Sequence, residues 1–129
     1  MIILDENIPA DQYEILRRKR VPVKKIGVAV GRWGMKDDEI IPLLHQLNRP
    51  TFFSLDADYH KRRLRHDSYC LVYLDIEEDG AADCILQVLR HPELNSKAKR
   101  MGAVIRADPT GMTIWRGRHE DEERLSWNK

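Results

Sequence analysis

The sequence has little that would suit a membrane protein, a disulfide-stabilised protein or a strongly charged one. None of its apolar runs approaches the roughly 20 residues that a membrane-spanning helix requires. The residues before Asp5 include no basic segment of the kind that opens a signal peptide. The two cysteines, Cys70 and Cys84, lie among apolar residues, which is typical of buried, reduced thiols. We therefore expect a cytoplasmic protein without disulfides.

The net charge is also small, because 22 Lys and Arg nearly balance 21 Asp and Glu and leave +1 at pH 7. A domain that binds nucleic acid through charge alone is usually far more basic. The balance conceals a split between the two halves of the chain. Residues 1–66 carry 13 basic and 9 acidic side chains, whereas residues 67–129 carry 9 and 12. The near-neutral total is therefore compatible with a local site of either sign.

Short apolar runs alternate with helical patterns along most of the chain, whose 129 residues suit one domain with a single core. The apolar runs predict strands at 1–4, 21–26, 51–55 and 69–74. Periodic apolar positions predict helices at 9–20, 37–47 and 81–89, and Asp37 is expected to be the N-cap of the second. The basic stretch 60–65 is a candidate for a short helix. This order predicts a three-layer α/β/α domain around a mostly parallel central sheet.

The end of the chain has a different pattern. Two alternating segments, 103–106 and 112–116, flank Asp108-Pro109-Thr110-Gly111, which predicts a small C-terminal β-hairpin over about 103–116. The residues that follow are polar. We expect a single domain over 1–116 and a frayed polar tail over 117–129.

Acidic residues follow two of the predicted parallel strands. Asp5 follows the first strand, and Asp56 and Asp58 follow the third, so their carboxylates should meet at the edge where α/β proteins bind ligands. Asp37, at the start of the second helix, is placed to close over them. Converging carboxylates repel each other unless a cation neutralises them. Because ligands made only of oxygen favour Mg²⁺ or Mn²⁺ over Zn²⁺, these four residues predict a magnesium or manganese centre.

Each acid also has a simpler interpretation. A lone Asp after a strand is often a loop acid or a helix cap, and Asp37 is well placed to be only a cap. Glu6 and Glu39 fit exposed, solvated positions. The pair Asp56 and Asp58 carries more weight, since a surface turn rarely needs two acids directly after so apolar a strand.

Basic residues directly follow the acid pair. Their side chains are suited to binding the phosphates of a nucleic acid, and they are Lys61, Arg62, Arg63 and Arg65. Arg17, in the basic run 17–20, offers a second surface, although such a run at a helix end is most simply a solvated face. An acidic centre with basic surroundings is what a metal-dependent nuclease requires.

Three segments, in this order, resemble the PIN-like proteins of small prokaryotic operons, a branch of the PIN nuclease superfamily. Residues 2–9, IILDENIP, are similar to the opening motif LLDENLP of that branch. Residues 34–44, with Asp37-Asp38-Glu39-Ile40-Ile41, are similar to its second motif, in which an acid opens a helix. Residues 52–59, FFSLDADY, resemble its third motif, usually VLVTRDxDF, and the ending over 100–116 is also similar. The likeness covers nearly the whole chain.

The resemblance implies a PIN-like fold and a Mg²⁺-dependent endoribonuclease, often the toxin of a toxin–antitoxin pair. The partners would be an RNA substrate and a small antitoxin protein, and a homodimer is a further candidate assembly. The acidic positions of the family correspond to Asp5, Asp37, Asp56 and Asp58, with Asp38 as an alternative to Asp37. Around them lie the supporting residues Glu6, Asn7, Asp38 and Glu39. One departure is Ser54-Leu55, which stands where the family has Thr-Arg and leaves out a basic residue.

Other classes of function remain open. The departure at Ser54-Leu55 suits a non-catalytic PIN-like module that binds a protein partner or RNA. A signalling receiver domain has a similar length and has acids after its first and third strands, but it has no use for Asp58 or for the acids at 37–39. A phosphatase with an Asp-x-Asp nucleophile normally carries that pair after its first strand.

Overall fold

The apolar runs of the sequence form the central strands of a seven-stranded sheet. The structure is a computed structural model that describes residues 1–118 and 120–127. Its strands are β1 (Ile2–Leu4), β2 (Val23–Lys25), β3 (Thr51–Ser54), β4 (Cys70–Leu74), β5 (Ala103–Asp108), β6 (Gly111–Arg116) and β7 (Glu123–Ser126). They lie in the order β2-β1-β3-β4-β5-β6-β7. Neighbours from β2 to β5 are parallel, and β6 and β7 join antiparallel, so the mostly parallel sheet and the hairpin are confirmed.

The helices lie on both faces of the sheet. They are α1 (Ala10–Arg18), α2 (Asp37–Gln46), α3 (Ala81–Arg90) and the short α4 (Lys97–Arg100). On one face, α1 and α3 pack together with Ile2 and Leu4 of β1. On the other face, α2 packs with Ile3 of the same strand. Because successive residues of a strand point to opposite faces, this three-residue apolar strand serves both halves of the core.

Several predicted boundaries differ from the structure. Asp37 is the first residue of α2 and not its cap, since the N-cap is Lys36, whose backbone N–H donates to Glu39 Oε1 at 3.2 Å. The second strand begins after Pro22, which has no N–H to give to a strand ladder. Within 60–65 only Arg62–Leu64 forms a 3₁₀ turn, and Ala57–Tyr59 forms another before it.

The prediction of a frayed tail over 117–129 is wrong for β7. This strand pairs with β6, and the guanidinium of Arg124 donates to both carboxylate oxygens of Asp108 at 3.0 and 3.1 Å. That contact holds the pKa of Asp108 well below its usual range. The indole of Trp127 donates to the Asp108 carbonyl oxygen at 2.8 Å. The polar composition hid the strand because an edge strand has few buried side chains; the tail residues His119, Asn128 and Lys129 lie outside the described residues.

The two cysteines match their predicted environment. Both are buried and free, and burial raises the pKa of each thiol to about 12. A thiol with so high a pKa stays protonated and behaves as a small apolar side chain. Among the described helices, none combines the length and the apolar character needed to cross a membrane.

The contact between Arg124 and Asp108 predicts how firmly β7 is held. Arg124→Ala removes two charge-assisted hydrogen bonds, but the arginine side chain is 46% exposed, so we expect a loss of about 1 kcal/mol in the free energy of unfolding. The control is Arg17→Ala, which removes one exposed ion pair to Glu14 and should change stability by less than about 0.5 kcal/mol. Urea unfolding measures both variants, and equal effects would contradict a special role of Arg124.

Candidate metal centre

The strand order opens a crevice at the carboxyl ends of β1 and β3. β1 lies between β2 and β3, and the chain leaves it toward α1 on one face and reaches β3 through α2 on the other. In doubly wound sheets, ligands bind at such a reversal of strand order. Asp5 directly follows β1, and Asp56 follows β3 after one intervening residue. The sheet therefore delivers both predicted acidic segments to the same crevice.

Three of the four predicted ligands come together there. Asp37, Asp56 and Asp58 each present a carboxylate oxygen, and these oxygens all lie within 4.8 Å of one another. Asp56 Oδ1 accepts the backbone N–H of Asp58 at 2.9 Å, which closes the turn that brings the two acids side by side. Asp37 and Asp58 are exposed and Asp56 is half-buried, so a hydrated cation has access to all three carboxylates.

Asp37 is held in this group by a buried tyrosine. The hydroxyl of Tyr59 donates to Asp37 Oδ1 at 2.9 Å, and its ring packs edge to face against Phe52 with centroids 5.0 Å apart. Burial and the nearby carboxylates raise the pKa of Tyr59, so its hydroxyl remains a donor at neutral pH. The group of three contains Asp37 and not Asp38. Sequence reasoning missed the contact of Tyr59, although an aromatic residue with a hydroxyl directly after the acid pair is a visible signal.

Asp5 lies next to this group but is engaged differently. It is buried, its Oδ1 accepts the backbone N–H of Glu6 at 2.8 Å, and its Oδ2 accepts the Ser54 hydroxyl at 2.7 Å. Burial raises the pKa of Asp5, and the negative charges of Glu6 and Asp37 add to that shift while the two hydrogen bonds oppose it. The structure therefore places Asp5 outside the group of three, joining β1 to β3 beside it.

Ser54, the last residue of β3, links the acidic segments. Its hydroxyl donates to Asp5 and accepts from Asn7 Nδ2 at 3.1 Å and from the backbone N–H of Asp56 at 3.0 Å. One donor and two acceptor positions are thus all used. Asn7 Oδ1 in turn accepts the backbone N–H of Leu55 at 3.2 Å. Ser54 and Asn7 therefore fix the course of the chain from β3 into the acid pair.

The other predicted supporting acids hold the loop before α2 or line a cavity. Glu6 Oε2 accepts the backbone N–H of Gly34 at 3.0 Å, and Glu39 forms an ion pair with Arg32. Both carboxylates are partly exposed, as the simple interpretation expects, and each also has a partner in the loop. Asp38 is exposed and lines a cavity that also includes Asp37 and Asp58 of the acidic group.

The predicted basic residues fall into three places. Lys61 Nζ lies 3.7 Å from Asp58 Oδ1, and Arg63 lines the same cavity as Asp38. Arg62 and Arg65 line a neighbouring cleft of about 280 Å³. Arg63 lines this cleft as well, and so does Arg118, which the sequence did not single out. Arg17 pairs with Glu14 in the last turn of α1, where the chain leads into the start of β2. It therefore lies away from the carboxyl ends of the strands, where the acids are.

The environment of Asp5 predicts a pH dependence of stability. The folded protein raises the pKa of Asp5 above its ordinary value of 3.8, so the folded state binds this proton more tightly than the unfolded chain does. Relative to Asp5→Asn, the free energy of unfolding of the natural protein should therefore fall as pH rises from about 3 to about 7. Urea unfolding in metal-free buffer at several pH values measures this difference. A difference that is constant or grows with pH would contradict the assignment.

Comparisons with protein-family models, with curated proteins and with solved structures found no match to this chain. The likeness to PIN-like proteins therefore rests on the residues of its motifs. The three clustered residues at the carboxyl ends of β1 and β3 are acidic, so they offer a metal ion only oxygen ligands. The cationic side chain of Lys61 lies beside them.

Proposed function

We propose that the protein is a metal-dependent endoribonuclease of the PIN-like class. One observation carries this proposal, namely the convergence of Asp37, Asp56 and Asp58 at the carboxyl ends of β1 and β3. Carboxylates that close repel each other strongly unless a cation joins them. The donor set contains only oxygen, which suits Mg²⁺ or Mn²⁺.

The chain around the acids suits the hydrolysis of a phosphodiester. A metal ion bound there would supply an activated water and would neutralise charge on the phosphate. Lys61 and Arg63 border the cluster and are placed to bind the phosphates next to the cleaved bond. Tyr59 orients Asp37, and Ser54 orients the segment that carries Asp56. Residues that orient a metal-binding side chain through a hydrogen bond commonly raise the affinity for the metal.

The family resemblance extends this proposal to the biological role. In it, the protein is the toxin of a toxin–antitoxin pair in the cytoplasm, its substrate is RNA and a small antitoxin protein neutralises it. The basic cleft of Arg62, Arg65 and Arg118, next to the acidic group, supports an RNA substrate because it offers cations along a path beyond the cleaved bond. A homodimer belongs to the same proposal.

The activity is tested by removing one carboxylate charge at a time. We expect a fall of at least about 100-fold in the rate of cleavage of single-stranded RNA in Mg²⁺ for each of Asp37→Asn, Asp56→Asn and Asp58→Asn. Mutation of a residue that only hydrogen-bonds to a metal-binding side chain already lowers activity by about 10- to 100-fold. The matched control is Asp83→Asn, an exposed acid in the first turn of α3 on the other face of the sheet. The proposal would be contradicted if cleavage persisted in all three variants, or if the natural protein cleaved no RNA with any of the divalent metals tested.

A non-catalytic PIN-like module is the second candidate, and the engagement of Asp5 favours it. Both oxygens of Asp5 already accept hydrogen bonds, and Leu55 stands where the PIN-like motif has a basic residue. Calorimetric titration with Mn²⁺ separates a metal centre from an inert site. Micromolar binding that is lost in Asp56→Asn and weakened about 10-fold in Tyr59→Phe supports the metal centre. RNA binding without any binding of Mn²⁺ supports the non-catalytic module.

A further inference from the structure

A cavity of about 440 Å³ opens directly beside the metal centre. This volume lies within the range of small-molecule sites and is large enough for a nucleotide. Asp37 and Asp58 form part of its wall, so anything that fills it touches two of the three clustered acids. The rest of the wall includes the partly buried apolar side chains Ile41 and Leu64 and the ring of Pro42. Apolar side chains of this kind can pack against the face of a nucleobase that has left a stack.

The lining of the cavity offers hydrogen-bond acceptors. Asp38 is part of that lining, and among the described residues the Asp38 carboxylate has no hydrogen bond or ion pair. Its two carboxylate oxygens are therefore available to a ligand that carries donors.

The lining also offers hydrogen-bond donors. Lys61 and Arg63 both line it, and Lys61 is half-exposed beside Asp58. Among the nucleobases, guanine has adjacent N–H donors at N1 and N2 and acceptors at O6 and N7. Its donors match a carboxylate, and its acceptors match lysine or arginine. Uracil presents a single N–H between two carbonyl oxygens and suits a carboxylate poorly.

We propose that this cavity binds a guanine base of single-stranded RNA next to the metal centre, and that Asp38 is the residue that selects it. The choice of RNA as the source of the guanine rests on the proposed nuclease function. The base preference itself is a property of the cavity and does not require cleavage. Asp37 and Asp38, adjacent in the sequence, thus have different roles, since Asp37 belongs to the group of clustered acids and Asp38 to the base site.

The test measures binding of mononucleotides, which needs no catalysis. NMR titrations in Mg²⁺ with 5′-GMP, 5′-IMP and 5′-UMP give the three dissociation constants, and the methyl signals of Ile41 and Leu64 report occupancy of the cavity. We expect 5′-GMP to bind about 10-fold more tightly than 5′-UMP, with 5′-IMP, which lacks the 2-amino group, between them. Asp38→Asn should reduce the ratio of GMP to UMP affinity to near 1. Asp83→Asn, which removes the same charge from the first turn of α3, should leave that ratio unchanged.

The base site is refuted if the protein shows no preference for GMP over UMP, or if Asp38→Asn leaves that preference intact. An equal loss in Asp83→Asn would also overturn it, because the effect would then be one of general charge. Thermal unfolding of each variant verifies that it is folded. Equal binding of GMP and UMP by a protein that cleaves RNA would refute the base site but leave the nuclease proposal standing. A GMP preference in a protein that cleaves no RNA would refute only the nuclease.

Discussion

Repulsion among clustered carboxylates is the interaction that the rest of this site has to compensate. The carboxyl ends of β1 and β3 gather Asp5, Asp37, Asp56 and Asp58, and three of these place oxygens within 4.8 Å of one another. Negative charges at that separation oppose folding unless donors or cations compensate them. The chain supplies some compensation itself: the Tyr59 hydroxyl for Asp37, the backbone N–H of Asp58 for Asp56, and Lys61 for Asp58. A divalent cation would supply the rest.

The burial of the acids divides them into two kinds. Asp5 is buried, and both of its carboxylate oxygens accept hydrogen bonds from within the protein. Its burial raises its pKa. Asp37 and Asp58 face solvent. Through Ser54, the buried acid determines where β3 ends and the acid pair begins. The exposed acids are those that a hydrated ion would reach first, while Asp5 is hydrogen-bonded inside the protein next to them.

Much of this organisation is predictable from the sequence. The runs Ile2–Leu4 and Thr51–Ser54 are apolar on both faces, which identified buried parallel strands, and the acids after them then had to share an edge. The strand at Glu123–Ser126 was not predictable, because its stability comes from Arg124 meeting Asp108 across the sheet and not from apolar pattern. The roles of Tyr59 and Ser54 as positioning residues were also missed. Ser54 donates to Asp5, which is 49 residues away in the chain, and local spacing does not identify such a partner. The Tyr59 hydroxyl beside the acid pair was a visible signal, but its partner Asp37 follows only from the packing of α2 against the sheet.

The central proposal is that Asp37, Asp56 and Asp58 form one divalent metal centre. The most direct test is a crystal structure of the protein soaked in Mn²⁺, with anomalous diffraction recorded for manganese. The account predicts an anomalous peak within about 2.5 Å of carboxylate oxygens of Asp37, Asp56 and Asp58, the upper end of metal–oxygen distances for hard cations. Full anomalous data with no peak among these residues, or with manganese bound only elsewhere on the surface, would contradict it.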